Sequence, residues 1–258
     1  MHRFFVTADS RAADDVTLTG GIAHQIARVL RLRSNEEIVL IPTNGEDAVE
    51  WRVRLGTVET RMVAGTVVAE RPGLPEPRCA VTLCAAVLKG ERFDWLVQKA
   101  TELGVAVIKP VVTAHTIRRV GPDDTKALER WRRIATEAAE QSGRSRAPII
   151  GAPVALMDIV GSVPAPLFVA HESVTTATFA SIVPANADTL SVIVGPEGGL
   201  AESEVEHLVA KGGALQVSLG PRILRAETAA ITAVTLVMAA TENLAPARER
   251  AWHEIRDR

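Results

Sequence analysis

The chain has 258 residues, of which 47% are hydrophobic and 23% charged, and its net charge is −2. That length holds one large domain or two modest ones, each with a real core, and the balance is that of an ordinary globular protein. It excludes a polyelectrolyte, so any nucleic-acid contact has to come from local arginine clusters. No apolar run is long enough to cross a bilayer. The opening MHRFFVTADSRAADD turns polar and acidic too early for a signal peptide, so a cytoplasmic protein with no membrane contact is expected. The only cysteines, Cys79 and Cys84, share one predicted strand at an odd spacing. They point to opposite faces, and buried free thiols are expected rather than a disulfide. No His, Cys, Asp or Glu spacing suits zinc, so no metal is expected.

Residues 1–71 read as β-rich. HRFFV, EEIVLIP, EWRVRLGTV and MVAGTVVAE are short β-branched runs parted by breaks such as PTNGED. Gly20-Gly21 opens one helical stretch, IAHQIARVLRLR, with Ile22, Ile26, Val29 and Leu30 on one face. A small barrel with one helix is predicted. The proline-rich ERPGLPEPR at 70–78 reads as a linker, with 72–78 as the boundary segment. Strand–helix alternation then fills 79–245. CAVTLCAAVL, VIKPVVT, PLFVAHE, LSVIVG and ALQVSLG are the strands. Between them fall the helices FDWLVQKATELGV, DTKALERWRRIATEAAEQSGR and SEVEHLVAKGG. A last helix, AETAAITAVTLVMAATENL, has little polar surface and is expected to be buried on most sides. The alternation predicts an α/β domain with a parallel sheet and helices on both faces. The tail, 246–258, is charged and is expected to fray or to pack on a partner.

In an open parallel sheet, ligands sit outside the carboxyl ends of the strands. Three predicted strand ends carry unusual residues: VAHES at 169–173, VGPEGGL at 194–200 and LGPRILRAET at 219–228. Glycine and proline there also serve as plain turn formers. None of the three is a dinucleotide or P-loop motif, and GPEGG lacks the lysine a triphosphate needs. Its glutamate favours a ligand with an uncharged or cationic centre.

VGPEGGL together with VSLGPRILRAETA closely resembles the RsmE family, bacterial 16S rRNA (uracil-N3)-methyltransferases of the SPOUT class. KGERFDWLVQKATELGV (89–105), IKPVVT (108–113), WRRIATEAAEQSGRSRAP (131–148) and HRFFV match as well, so the resemblance runs through nearly the whole chain. It implies a PUA-like barrel (1–71) joined to a SPOUT domain (79–245) with a C-terminal trefoil knot. It also implies S-adenosylmethionine bound in the knotted loops, a homodimer, and 16S rRNA within the small ribosomal subunit as partner. Two places depart from the family pattern: Ala201 stands where a Ser or Thr often caps the helix, and His115-Thr116 stands where Arg-Ser is expected.

On this resemblance Leu219, Gly220, Ile223 and Leu224 wrap the adenine. Gly195, Pro196, Glu197, Gly198 and Gly199 line the opposite side, and Ala170, His171 and Glu172 lie near the ribose. Small residues, Ala229 among them, let the last helix pack closely against the cofactor loops. Arg222 and Arg225 have two readings: closure of the turn onto Glu227 or Glu197, or contact with RNA or the target base. Methylation at uracil N3 needs loss of a proton, which either a general base, with Glu197 or Glu227 as candidates, or a cation that stabilises the enolate, with Arg225 as candidate, would serve. The charge of Glu227 at a helix start explains its presence equally well. Arg28, Arg31, Arg33, Arg144, Arg146 and Arg222 are the candidate RNA contacts, with Arg118-Arg119, Arg130 and Arg132-Arg133 as further clusters. With no tyrosine, sequence readout by an aromatic platform is not expected. Other SPOUT reactions on ribose or tRNA, and a non-catalytic ribosome-assembly protein, are the alternatives.

Overall fold

A computed structural model describes residues 1–43, 48–117, 120–174, 177–245 and 250–255. The candidate pair Arg118-Arg119 and part of the tail lie outside the described residues. The chain divides into two units. The first comprises Met1–Glu76, Ala139–Arg146 and Ala247–Arg258, and the second Pro77–Ala138 and Ala147–Pro246.

The first unit is built on one mostly antiparallel sheet. Its strands are β1 (Arg3–Val6), β2 (Arg11–Ala12), β3 (Asp15–Thr19), β4 (Glu37–Pro42), β5 (Val49–Val58) and β6 (Met62–Pro72), in the order β1-β4-β5-β6-β3-β2. Alternate residues face inward, so Val16 and Leu18, Val53 and Leu55, and Val63 and Val67 meet Phe4, Ile38 and Leu40 in one core. Helix α1 (Gly20–His24) continues as a π-helical turn over Gln25–Val29 and adds Ala23 and Ile26 to the buried residues. The predicted helix runs further than the observed one. Arg31 takes a left-handed φ of 56° and ends it, leaving Arg31 and Arg33 on the exposed exit.

The predicted linker begins too early. Glu70, Arg71 and Pro72 are still in β6, paired with Trp51, Glu50 and Val49. The described residues of the tail, 250–255, neither fray nor wait for a partner but are held by the first unit's own sheet. Glu50 is fully buried and accepts hydrogen bonds from Arg3 (2.7 Å), Arg71 (2.7 Å) and the tail's Arg250 (3.0 Å). Trp252 lies against the guanidinium groups of Arg71 and Arg52, and His253–Glu254 pairs antiparallel with β6. A buried carboxylate needs hydrogen-bonding partners, and the tail supplies one of them. Burial opposes the charged form of Glu50. The hydrogen bonds and charges of the three arginines outweigh it and hold the carboxyl below its ordinary value.

The second unit is an open parallel sheet. Its elements are β7 (Ala80–Ala86), α2 (Arg92–Glu102), β8 (Val107–Val112), α3 (Thr125–Ser142, of which the part up to Ala138 belongs to this unit), β9 (Ile149–Ile150), β10 (Val154–Ala155), β11 (Leu167–Ala170), α4 (Phe179–Ile182), β12 (Thr189–Val194), α5 (Glu202–Gly212), β13 (Leu215–Val217) and α6 (Ala226–Ala240). The strand order is β10-β8-β7-β12-β11-β13, all parallel, with β9 also on β8. One face carries Val81, Leu83, Phe168 and Val192 against α2, α3 and α6. The other carries Cys84, Val111, Val169 and Ile193 against Val205 and Leu208 of α5. Cys79 and Cys84 are buried free thiols in these two separate cores. Burial pushes the Cys84 thiol up to about 12. Helix α6 is less buried than its composition predicts. A stripe of Ala226, Ala230, Ala233, Val234, Val237 and Met238 is covered, while Leu236 is 37% exposed.

Candidate active site

The chain must leave each parallel strand at its carboxyl end, and four neighbouring strands do so along one edge: β7, β12, β11 and β13. The segments that follow them form a cleft of about 890 Å³. Its walls are Ala170, His171 and Glu172 after β11, Gly195, Pro196, Glu197 and Gly199 after β12, and Leu219, Gly220, Ile223 and Leu224 after β13. Arg92, Arg222, Arg225 and Ala229 also line it. Gly198 is not part of the lining; a Cβ there would lie 3.2 Å from the His115 side chain.

The glycines are needed for different reasons. At Gly195 a Cβ would sit 3.0 Å from Leu200, which closes the turn. Gly220 has a φ of 105°, a conformation reserved for glycine, and open space where a side chain would go. Glu172 reaches towards Gly199, its Oε1 3.5 Å from the position a Cβ would take. His115 Nδ1 is 3.2 Å from the Gly199 carbonyl, so the departure at 115 braces the glycine loop. The Glu204 carboxylate accepts from Ala201 N–H (2.8 Å) and Ala114 N–H (2.8 Å), which fixes the start of α5 although Ala201 has no capping side chain.

The charged groups are not arranged as the sequence suggests. Glu197 is paired with Arg92, Nη1 to Oε1 3.2 Å, and accepts a 3.4 Å bond from Lys89 N–H. Arg92 Nε also lies 3.9 Å from Glu227. Arg92 therefore takes the place proposed for Arg222 and Arg225 in closing onto these carboxylates. Arg222 and Arg225 are exposed, and among the described residues their side chains have no ion pair. Glu227 lies outside the lining, with a buried Oε2 that has no hydrogen-bond partner among the described residues.

Arg92 escaped the sequence reading although its segment, KGERFDW, was singled out. The usable signal was topological. Strand β7 lies next to β12, so the segment after it opens on the same edge as the glycine loop. Thr178, which also lines the cleft, stands in no motif, and Ser218 stands in VSLGPRILRAETA but was not singled out as a site residue.

The candidate RNA-contact arginines separate into two kinds. Arg28, Arg31, Arg33 and Arg146 are exposed, and Arg28 Nε donates to Thr60 Oγ1 at 2.9 Å. Arg144 is a correction. It is 4% exposed and paired with Glu76, which also accepts from the backbone N–H groups of Ser145 and Arg146. A buried guanidinium held this way secures the 143–146 turn within the first unit and is not presented to RNA. Arg130 is tied to Asp94, which also accepts from Trp131 Nε1.

The backbone N–H and C=O groups of Leu219, Ile223 and Leu224 have no hydrogen-bond partner among the described residues, although they line the cleft. Unpaired main-chain groups between apolar walls suit the edge of a purine base.

A family model described as an RNA methyltransferase domain matches residues 75–238. The chain is 35% identical to the ribosomal RNA small subunit methyltransferase E of Synechocystis over 94% of its own length and 78% of that protein. It belongs to the RsmE family. The family protein of Bacillus subtilis is 31% identical over 95% of this chain and 98% of its own. The crystal structure of the Neisseria gonorrhoeae RsmE bound to S-adenosyl methionine is 29% identical, covers 93% of this chain and 97% of its own, and superposes with a TM-score of 0.81. The matched domain spans all four strand ends that form the cleft, so the RsmE likeness and the cleft fall on the same part of the chain.

Proposed function

We propose that this chain methylates N3 of a uridine in 16S rRNA of the small ribosomal subunit, using S-adenosylmethionine held in the cleft of the second unit. The observation that carries the reading is the coincidence of that cleft, with its unpaired main-chain groups and glycine turns, with a domain of the RsmE family. Leu219, Ile223 and Leu224 would hold the adenine by backbone groups and apolar contact, and Gly195 and Gly199 let the main chain approach. S-adenosylmethionine supplies an electrophilic methyl group on a sulfonium sulfur. Uracil N3 must lose its proton to become nucleophilic. Glu197, in the lining, is the acceptor for that proton, and Arg225 is the cation that stabilises charge spreading onto the uracil oxygens. The Arg92 pair holds the Glu197 carboxylate in place. Glu227 is the less favoured base, because it does not line the cleft.

The reading extends to a PUA-like, RNA-binding first unit, a trefoil knot in the second, a homodimer and a cytoplasmic setting. Exposed Arg28, Arg31, Arg33, Arg146 and Arg222 are the phosphate contacts. The test is methyl transfer from labelled S-adenosylmethionine to small subunits from cells lacking this gene, with naked 16S rRNA alongside. Label recovered in 3-methyluridine supports the reading. Label in a 2′-O-methyl nucleoside overturns the base chemistry and leaves an RNA methyltransferase of another specificity.

A further inference from the structure

Beside the cleft lies a second, open hollow of about 520 Å³ lined by Lys89, Gly90, Glu91, Arg92 and Trp95. Arg92 borders both depressions, so the hollow adjoins the place where the acceptor base must enter. Trp95 is 44% exposed and is the one exposed Phe or Trp side chain among the described residues. Every other tryptophan is covered: Trp131 is fully buried, Trp51 is 7% exposed, and Trp252 packs under two arginines. A half-exposed indole offers a flat face on which a base can stack. The charged side chains of the lining are of both signs: Lys89 and Arg92 are cationic, Glu91 is acidic, and Arg92 is already paired with Glu197. Lys89 is exposed and its ammonium has no ion pair among the described residues, and Arg92 stands one turn before Trp95 on α2. Gly90, at a φ of 69°, has nothing within 4 Å of where a Cβ would be, so the floor beside the indole is bare backbone.

We propose that this hollow is a nucleotide subsite, in which Trp95 stacks a base of the RNA next to the methylated uridine and Lys89 contacts its phosphate. Single-stranded nucleic acid is held by this combination of an aromatic face and neighbouring cations. A single stacking position orients the strand and does not read sequence. The chemistry commits the hollow to RNA rather than to a second protein chain: one isolated indole flanked by an unpaired lysine and bare backbone is a poor apolar interface core. The inference rests on the proposed function, and Trp95 acts as a positioning residue for that reaction.

The experiment is steady-state methylation of small subunits by Trp95→Ala and Trp95→Phe, with S-adenosylmethionine affinity and oligomeric state measured on the same samples. Loss of one stacked base raises the KM for RNA by roughly five- to hundredfold. Trp95→Phe recovers most of it, while cofactor affinity and oligomeric state stay those of the parent. As a second measurement, a short uridine-containing single strand quenches tryptophan fluorescence in the parent and not in Trp95→Phe. An unchanged KM for RNA overturns the subsite. So does a change in oligomeric state on Trp95→Ala, which makes the indole a contact between copies of this chain. If the parent binds S-adenosylmethionine but methylates no RNA, the reaction assignment fails. The fluorescence arm still decides whether Trp95 meets a base.

Discussion

Gly220→Ala isolates the contribution of the 218–225 turn. At a φ of 105° the residue occupies backbone space that an L side chain enters only under strain, yet a Cβ there meets nothing within 4 Å. The perturbation is therefore conformational and not steric. Gly220 is exposed, and its N–H is bonded only to the Ser218 hydroxyl, at 3.2 Å. In the free chain the substituted turn relaxes at little cost to the fold, and the strain returns when the turn must reform around a ligand. A residue held in such a region costs about 1–3 kcal/mol. Carried into binding, that is about a five- to hundredfold weaker affinity for S-adenosylmethionine. Isothermal titration on parent and variant measures it, with melting temperatures recorded beside it. Equal affinities would refute the reasoning, because the turn would then not be shaped around the cofactor.

Arg225→Ala should lower kcat on small subunits about ten- to hundredfold, the loss of one charged hydrogen bond worth about 1.5–3 kcal/mol. Cofactor affinity should be unchanged, and undiminished turnover at saturating cofactor would remove Arg225 from the chemistry. Glu50→Gln leaves Arg3, Arg71 and Arg250 without their buried charge partner and should destabilise the chain by about 3–5 kcal/mol in urea melts. The folded carboxyl of Glu50 lies below its unfolded value. Its contribution is thus present above the unfolded value of about 4.3 and is lost as the pH falls through the folded value. The parent should therefore lose stability in that acid range more steeply than Glu50→Gln. Cys84, buried with its thiol at about 12, and buried Cys79 should resist iodoacetamide at pH ~8 in the native chain. Both should react on unfolding; rapid native labelling would contradict the burial.

Much of the fold was legible in the sequence because its strands are strongly β-branched and its helices strongly periodic. CAVTLCAAVL and LSVIVG are buried on both faces and read as continuous apolar runs, as central parallel strands do. Short elements were not legible. Strands β9 and β10 and helix α4 have two to four residues, too few to show a period. The end of α1 was missed because nothing in RVLRLR marks Arg31 as left-handed. The three glycine- and proline-bearing strand ends pointed to the cleft, since their residue types have a backbone reason to be there. The charge pairs were not readable. Arg92 meets Glu197 across more than a hundred residues of sequence, and Arg144 looks like any loop arginine until Glu76 is found beside it. Such pairings are set by the order of strands in the sheet, which local pattern does not specify.

The most direct test of the account is a crystal structure of the intact chain with S-adenosylmethionine. The adenine is expected between Gly195–Leu200 and Leu219–Leu224, bonded to the main-chain groups of Leu219, Ile223 and Leu224, with the methyl group on the side of Arg225 and Glu197. A cofactor bound elsewhere, or a methyl group turned away from both side chains, would contradict it.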